Sequence, residues 1–193
     1  MLRALSHRRI HAFLVRAVRK SGIRPTRFIL SVHIAEQEMV LFQQCEFAKP
    51  RGPYFPGYYP RQSFLISTSS YGIGQAMSSN KTPRGLHRVA RKVGAGHLAG
   101  TVFRSRQPVG FTWQGQPNAS IVHRILWLEG LEPGFNKGGG VDTFNRYIYI
   151  HGFGDEMTLG RPQSHGCVHM AAADLMPLFE LLPTGTLVWI TER

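Results

Sequence analysis

The sequence predicts a mainly β domain with few short helices, preceded by a basic helical arm. Three observations predict it. Apolar residues recur with the period of two that marks a strand. Glycine and proline, 21 and 12 among 193 residues, cut the chain into short pieces, the pattern of a sandwich or barrel. Helical spacing occurs only near the two ends.

The arm spans residues 1–25. Ile10, Phe13, Leu14, Ala17 and Val18 fall at helical spacing with arginines opposite, and Ser21-Gly22 and Pro25 would stop the helix. Two readings of it stay open: a helix packed on the domain, or one in weak contact with a membrane surface or partner. Residues 26–193 form the second unit. Phe28, Leu30, Val32 and Ile34 alternate with Ile29, Ser31 and His33, a first strand. Met39–Gln43 is a second, joined across Ala35-Glu36-Gln37. The stretch from Gly52 to Pro60 reads as a loop and Phe64–Thr68 as a third strand. Tyr71 to Leu98, punctuated by glycines and Pro83, reads as loop. Phe111–Gln116, Ile121–Leu128, Tyr147–His151 and Leu187–Thr191 read as further strands. Ala171–Leu182 reads as a helix, provided that it starts near Asp174 or kinks at Pro177. A chain this long buries roughly 70% of its unfolded surface, so neither disulfides nor metal are needed to hold a core.

Charge is the unusual feature of the composition. Lysine and arginine number 23 against 11 acids, a net charge of +12. No acid precedes Glu36, and none lies between Glu46 and Glu129. Such a field attracts polyanions such as nucleic acid, anionic lipid or an acidic wall polymer. No nucleic-acid fold signature accompanies it, so no specific nucleic-acid partner is expected. No stretch reaches 18 apolar residues, and the short run His11–Val15 before Arg16 makes a poor signal-peptide core. The glycine-rich stretch Gly134 to Gly140 lacks the Lys-Ser/Thr that a phosphate cradle requires. The two cysteines, Cys45 and Cys167, fit no disulfide framework, and Cys45 reads as a packing residue.

The chemistry concentrates between Tyr147 and Met170. Tyr147, Tyr149 and His151 share one face of a predicted strand, and His151-Gly152 stands at its end. Thirteen residues on comes Ser164-His165-Gly166-Cys167-Val168-His169. A cysteine nucleophile works as the thiolate, which an imidazolium or a helix N-terminus favours. His151 would supply the first and the helix after Ala171 the second. Gly166 would allow a sharp turn and a close approach of substrate. Backbone N–H groups around Cys167 would face a developing oxyanion, typically worth about 3 kcal/mol each. Zinc is a competing reading, since His165, Cys167 and His169 alternate and would share a strand face. Simple packing is a third.

These residues resemble a known family. His151-Gly152, Leu159-Gly160-Arg161-Pro162 and Ser164-His165-Gly166-Cys167 resemble the signature of the L,D-transpeptidase catalytic domain, also called YkuD. Phe28 to Phe42 is similar to its opening hairpin, Asn80-Lys81-Thr82-Pro83-Arg84-Gly85 to its Thr-Pro-x-Gly loop, and Leu182 to Val188 to its closing strand. The resemblance implies an L,D-transpeptidase-like β-sandwich and acyl transfer on peptidoglycan stem peptides. Cys167 would be the nucleophile and His151 its proton donor and acceptor. Ser164, His165, Gly166, Gly152, His169 and Tyr149 would line the site and orient substrate. A β-lactam, such as a carbapenem, would acylate the same thiol. No metal or cofactor is implied. The alternative is an L,D-carboxypeptidase or related cysteine amide hydrolase with water as acceptor. The substrate class places the expected location in the cell envelope or periplasm, although no export signal is readable. Two positions depart from the family pattern: His169 stands where Arg or Asn is usual, and Phe153 where Thr or Ser often follows His-Gly.

Overall fold

The computed structural model describes residues 9–50 and 55–193. Its strands are β1 (Phe28–His33), β2 (Glu38–Gln44), β3 (Tyr58–Ser67), β4 (Gly85–Val93), β5 (Thr101–Arg104), β6 (Gln107–Phe111), β7 (Val122–Gly130), β8 (Tyr149–Gly152), β9 (Val168–Met170) and β10 (Leu187–Thr191). Two α-helices accompany them, α1 (Ala12–Ser21) and α2 (Ala172–Leu181). The strands form one sheet in the order β4-β10-β1-β2-β3-β9-β8-β7-β5-β6. A further pairing of β4 with β7 closes eight of them into a ring, from which the β5–β6 hairpin projects.

Two apolar layers hold this ring. Phe28, Leu30 and Val32 of β1 join Met39, Leu41, Leu126, Ile150, Val168 and Ile190 in the main core. Leu175, Leu178, Phe179 and Leu182 of α2 and its C-cap fill the same core. The opposite face of β1 and its neighbours, Ile29, Val40, Phe42, Leu86 and Leu187, packs against Leu14, Val15 and Val18 of α1. β1 is therefore buried at all six positions despite its alternating sequence.

The arm's described part is α1, whose stop at Gly22 follows the predicted signal: Gly22 is left-handed at φ 65, and its N–H caps the Arg19 carbonyl. Phe13, predicted on the apolar face, is instead 61% exposed, and Val15 occupies the buried face. Residues 1–8 lie outside the described residues.

Three expectations are corrected. The predicted loop from Tyr71 to Leu98 contains β4, which escapes a hydrophobicity reading because its outward positions carry arginines while Leu86, His87 and Val89 face in. The predicted strand Phe111–Gln116 is mostly a turn: Gln114 N–H donates to the Phe111 carbonyl, and the hairpin lies just before it as β5 and β6. β3 starts at Tyr58, inside a predicted loop whose residues 51–54 lie outside the described residues. Pro177 sits within α2 without ending it. The missing N–H costs about 3 kcal/mol, and burial of Leu175, Leu178 and Phe179 offsets it.

Phe179 is fully buried, with the Lys92 ammonium 4.4 Å from its ring centre. Truncation to alanine should cost about 3–5 kcal/mol, the usual range for a core aromatic, read as a lowered urea midpoint with an unchanged slope.

Candidate active site

Parallel pairing of β8 with β9 builds the site. Ile150 lies opposite Val168, and His151 opposite His169. Ile150 and Val168 point into the main core. Alternation then sends Tyr149, His151 and His169 to the other face, where Cys167 packs beside Phe103, Ile125, Trp127 and Tyr149. Cys167 is half-buried, one residue ahead of β9. Strands lie about 4.8 Å apart and rise about 6.6 Å per two residues, so a diagonal pair such as Cys167 and His151 has Cα atoms roughly 8 Å apart. A thiol and an imidazole on one face can bridge that span.

The sulfur is held by backbone. Tyr149 N–H donates to Sγ at 3.4 Å, and Sγ–H donates to the Tyr147 carbonyl at 3.5 Å. Tyr147 presents that carbonyl from a left-handed conformation, φ 55, just before β8 begins. Its exclusion from the strand corrects the predicted Tyr147–His151 element.

The loop before Cys167 is tied on both sides. Ser164 Oγ donates to the Cys167 carbonyl at 2.6 Å and accepts from Gly166 N–H at 3.2 Å. Gln163 and Ser164 N–H both donate to the Thr68 carbonyl at 2.9 Å. Thr82 Oγ1 donates to the Gly166 carbonyl at 3.2 Å and accepts from Ser69 N–H at 3.0 Å. Gly166 has φ 117, a conformation that L side chains rarely adopt, and a Cβ there would sit 3.1 Å from Ile148 Cδ1 and 3.3 Å from the Lys81 carbonyl. Gly152 is required for space: a Cβ would collide with the His123 ring and the Val122 carbonyl. Ser164 is thus a loop brace. The Gly166 N–H, expected to face an oxyanion, is committed to Ser164.

Burial sets the charge states. His151 is buried, and its Nδ1 lies 2.8 Å from the Gly152 carbonyl. A carbonyl only accepts, so Nδ1 carries the hydrogen and Nε2 the lone pair. Burial pushes the His151 pKa down to about 4. Burial also pushes the Cys167 thiol up to about 11, opposed by the Tyr149 N–H and then by the Arg146 charge. The resting pair is therefore neutral imidazole and protonated thiol. The thiolate–imidazolium pair expected from sequence is not the resting state, because desolvation penalises both charges. Nor does a helix N-terminus supply the compensation: β9 separates Cys167 from α2, whose first N–H, at Ala172, donates to Glu156 Oε1 at 2.7 Å.

The remaining predicted residues divide. Tyr149 acts on the sulfur through its backbone, while its hydroxyl accepts from Arg106 at 3.2 Å. His165 is exposed, with its ring 5.4 Å from that of Tyr71. His169 is 6% exposed, lies 4.8 Å from the His151 ring and stacks on Phe153 at 4.4 Å. Its Nδ1 is buried without a hydrogen-bond partner. Burial, then the neighbouring His151 and His165, holds its pKa down to about 3. His165 and His169 thus diverge, and no group of three His, Cys, Asp or Glu among the described residues is arranged to hold a metal ion. Arg146 is the site residue that sequence reasoning missed. Its guanidinium donates to the carbonyls of Gly74 at 3.2 Å and Lys81 at 2.5 Å, and the Cys167 thiol feels its charge. Nothing in the run Asn145-Arg146-Tyr147 distinguishes it from other arginines.

A family model described as the L,D-transpeptidase catalytic domain, YkuD, matches residues 28–190. The chain belongs to this family. A protein of Bacillus subtilis (strain 168) named "Putative L,D-transpeptidase YqjB" is 28% identical over 122 residues, 63% of this chain and 58% of its own length. Bd1075 of Bdellovibrio bacteriovorus matches in structure with TM-score 0.52 and 13% identity, over 87% of this chain and 49% of that one. L,D-transpeptidase 3 from Mycobacterium tuberculosis, in complex with a faropenem-derived adduct, matches with TM-score 0.50 and 14% identity, over 86% and 60%. At such identities the structural matches show the fold. The chain spans roughly half to three fifths of the length of these proteins. Against the YkuD pattern, the two departures, Phe153 and His169, prove to be a single packing unit, stacked with their planes 13° apart.

His87 in β4, like His151, has its pKa lowered to about 4 by burial, and His169 to about 3. Unfolding releases these rings to about 6.5, so below that pH the unfolded chain binds more protons than the folded one. The contribution of these rings to stability should be full above pH 6.5 and fall steadily towards pH 4, read from urea midpoints between pH 4 and 8. Gly166→Ala should lower stability by about 1–3 kcal/mol through forced left-handed backbone, measured by the same unfolding experiment.

Proposed function

We propose that this chain is a peptidoglycan L,D-transpeptidase that works through a thioester on Cys167. The observation that carries the reading is the shared sheet face of Cys167 and His151, with the ring's Nδ1–H tied to the Gly152 carbonyl and Nε2 left basic. Family membership supplies the substrate class.

The chemistry follows from the resting charges. A protonated thiol beside a neutral imidazole suits general-base catalysis. As Sγ attacks the stem-peptide carbonyl, its proton passes to His151 Nε2. The tetrahedral oxyanion collapses, the C–N bond breaks, and the terminal amino acid leaves with the proton from His151. A second amine then attacks the thioester, gives a proton to the same nitrogen and releases the thiol on collapse. The Tyr149 N–H and the Arg146 charge both favour negative charge on sulfur, so they lower the barrier to the first step. This reading takes the protein to the cell envelope, where such stems lie.

Disaccharide tetrapeptides, with products separated by mass, provide the test. Wild-type protein should give cross-linked dimers and lose the terminal residue. Tripeptide alone would mean that water is the acceptor, and the reading would give way to the carboxypeptidase. Cys167→Ala should cut turnover by at least about a thousandfold, and His151→Asn by about a hundred- to ten-thousandfold. Turnover unaffected by Cys167→Ala would remove the proposal. A carbapenem should add its mass to the peptide containing Cys167 and to no other.

A further inference from the structure

The hairpin that projects from the ring leads into an aromatic surface with no charge around it. Trp113, in the turn that follows β6, is 63% exposed. Its ring stacks on that of Phe111, with centroids 4.6 Å apart and planes 8° apart. It also rests over Gly100, where a Cβ would collide with the indole. Backbone bonds fix the turn: Thr112 N–H donates to the Gly100 carbonyl at 2.9 Å, Gln114 N–H to the Phe111 carbonyl at 3.0 Å and Gln116 N–H to the Thr112 carbonyl at 3.1 Å. Phe111 thus covers one indole face, and an exposure this large leaves the other face open. A rigid aromatic face of this kind loses little entropy when a ligand covers it. Around it, the stretch from Gln107 to His123 contains no Lys, Arg, Asp or Glu, in a chain of net charge +12. It offers amides at Gln107, Gln114, Gln116 and Asn118 and hydroxyls at Thr112 and Ser120. The same stretch reaches the candidate active site. Gly100 N–H donates to His123 Nδ1 at 2.8 Å, and the His123 ring packs against Gly152, the residue after His151. Gly154 N–H donates to the Ala119 carbonyl at 3.0 Å.

We propose that Trp113 and the uncharged stretch around it form a sugar-binding platform that takes the glycan strand to which the stem peptide is attached. A pyranose ring gathers axial C–H bonds on one face, and these pack against an indole while the hydroxyl and acetamido groups at its edge bond to amides and hydroxyls at the rim. A backbone of N-acetylated amino sugars is uncharged, as the platform is. A polyanion would find no cation within the stretch, and Pro108 in β6 removes a donor that an added peptide strand would need. That the sugar belongs to the acyl donor rests on the transpeptidase reading given above. The contacts from Trp113 through Gly100 and His123 to Gly152 put the bound sugar on the His151 side of the thiol. Trp113 is a binding residue in this account and takes no part in the Cys167–His151 chemistry.

The probe is chitotetraose, an uncharged oligomer of N-acetylglucosamine, titrated into the whole chain by calorimetry. It should bind saturably, with an affinity unchanged from about 50 mM to about 500 mM salt, a range over which binding of a polyanion would weaken steeply. The sugar should also reduce acrylamide quenching of the tryptophan fluorescence, because Trp113 is the exposed indole while Trp127 and Trp189 are buried. Trp113→Ala should weaken binding at least about tenfold, as for an aromatic at the centre of a contact. Trp113→Tyr keeps a stacking ring and should stay within about threefold of the unaltered protein. The quenching measurement needs no substitution, so it decides the matter even where a variant misfolds. With disaccharide tetrapeptide and bare tetrapeptide as donors, kcat/KM should favour the disaccharide form, and Trp113→Ala should bring the ratio to about one. No saturable binding, unchanged quenching, or binding indifferent to Trp113→Ala overturns the proposal. Protection of Trp113 by phosphatidylcholine vesicles and not by the sugar overturns it too, and would make the turn a membrane contact. Equal kcat/KM on the two donors would overturn it while sparing the transpeptidase reading. Sugar binding that depends on Trp113, in a protein without turnover, would keep the platform and remove that reading.

Discussion

The arrangement of the site depends on one pairing, the parallel contact of β8 and β9. It is short, with three registered residue pairs. It nevertheless decides which side chains meet, because a slip of one residue would send His169 into the core and Val168 to the site. Two devices fix the register. On the core side, Ile150 and Val168 are fully buried and would lose that burial on slipping. On the loop side, Ser164 ties the Cys167 carbonyl, while Thr82 ties Gly166. The nucleophile candidate is therefore positioned by two side-chain hydroxyls that hold the carbonyls of its own loop, Ser164 from three residues away and Thr82 from a distant segment.

Burial in this region works against charge, and the fold compensates from outside the motif. Desolvation holds the imidazole neutral and the thiol protonated. The relief comes from a backbone N–H of β8 and from Arg146, whose own place is set by the loop from Gly74 to Lys81. The stack of Phe153 on His169 adds another dry surface beside the ring. Such an environment disfavours a standing thiolate–imidazolium pair.

Much of the fold was legible because its signals were local. β1, β2, β7 and β10 carry the alternation or the continuous apolar runs that a sheet imposes, and Gly22 announces the end of α1. β4 was hidden because arginines occupy its outer positions and glycines bracket it. β9 was hidden because its three residues lie within the cysteine motif, where chemistry rather than periodicity attracts the eye. Phe13 was misplaced because five apolar residues make a broader stripe than the helix can bury. At the site, the grouping of His151 with Cys167 was legible from the motif. The brace role of Ser164 and the reach of Arg146 were not, since both depend on bonds across more than sixty residues or on backbone direction.

Closure of the sheet has a consequence for how a peptide can arrive. β9 is flanked by β3 and β8, and β8 by β9 and β7. Neither strand has a vacant side, so no incoming chain can extend the sheet next to the sulfur and borrow its ladder of amides. The open margin lies at β6, where Pro108 offers no donor and discourages docking there. Recognition near the thiol must then come from side chains and loop tips, the parts of the molecule most easily retuned from one ligand to the next.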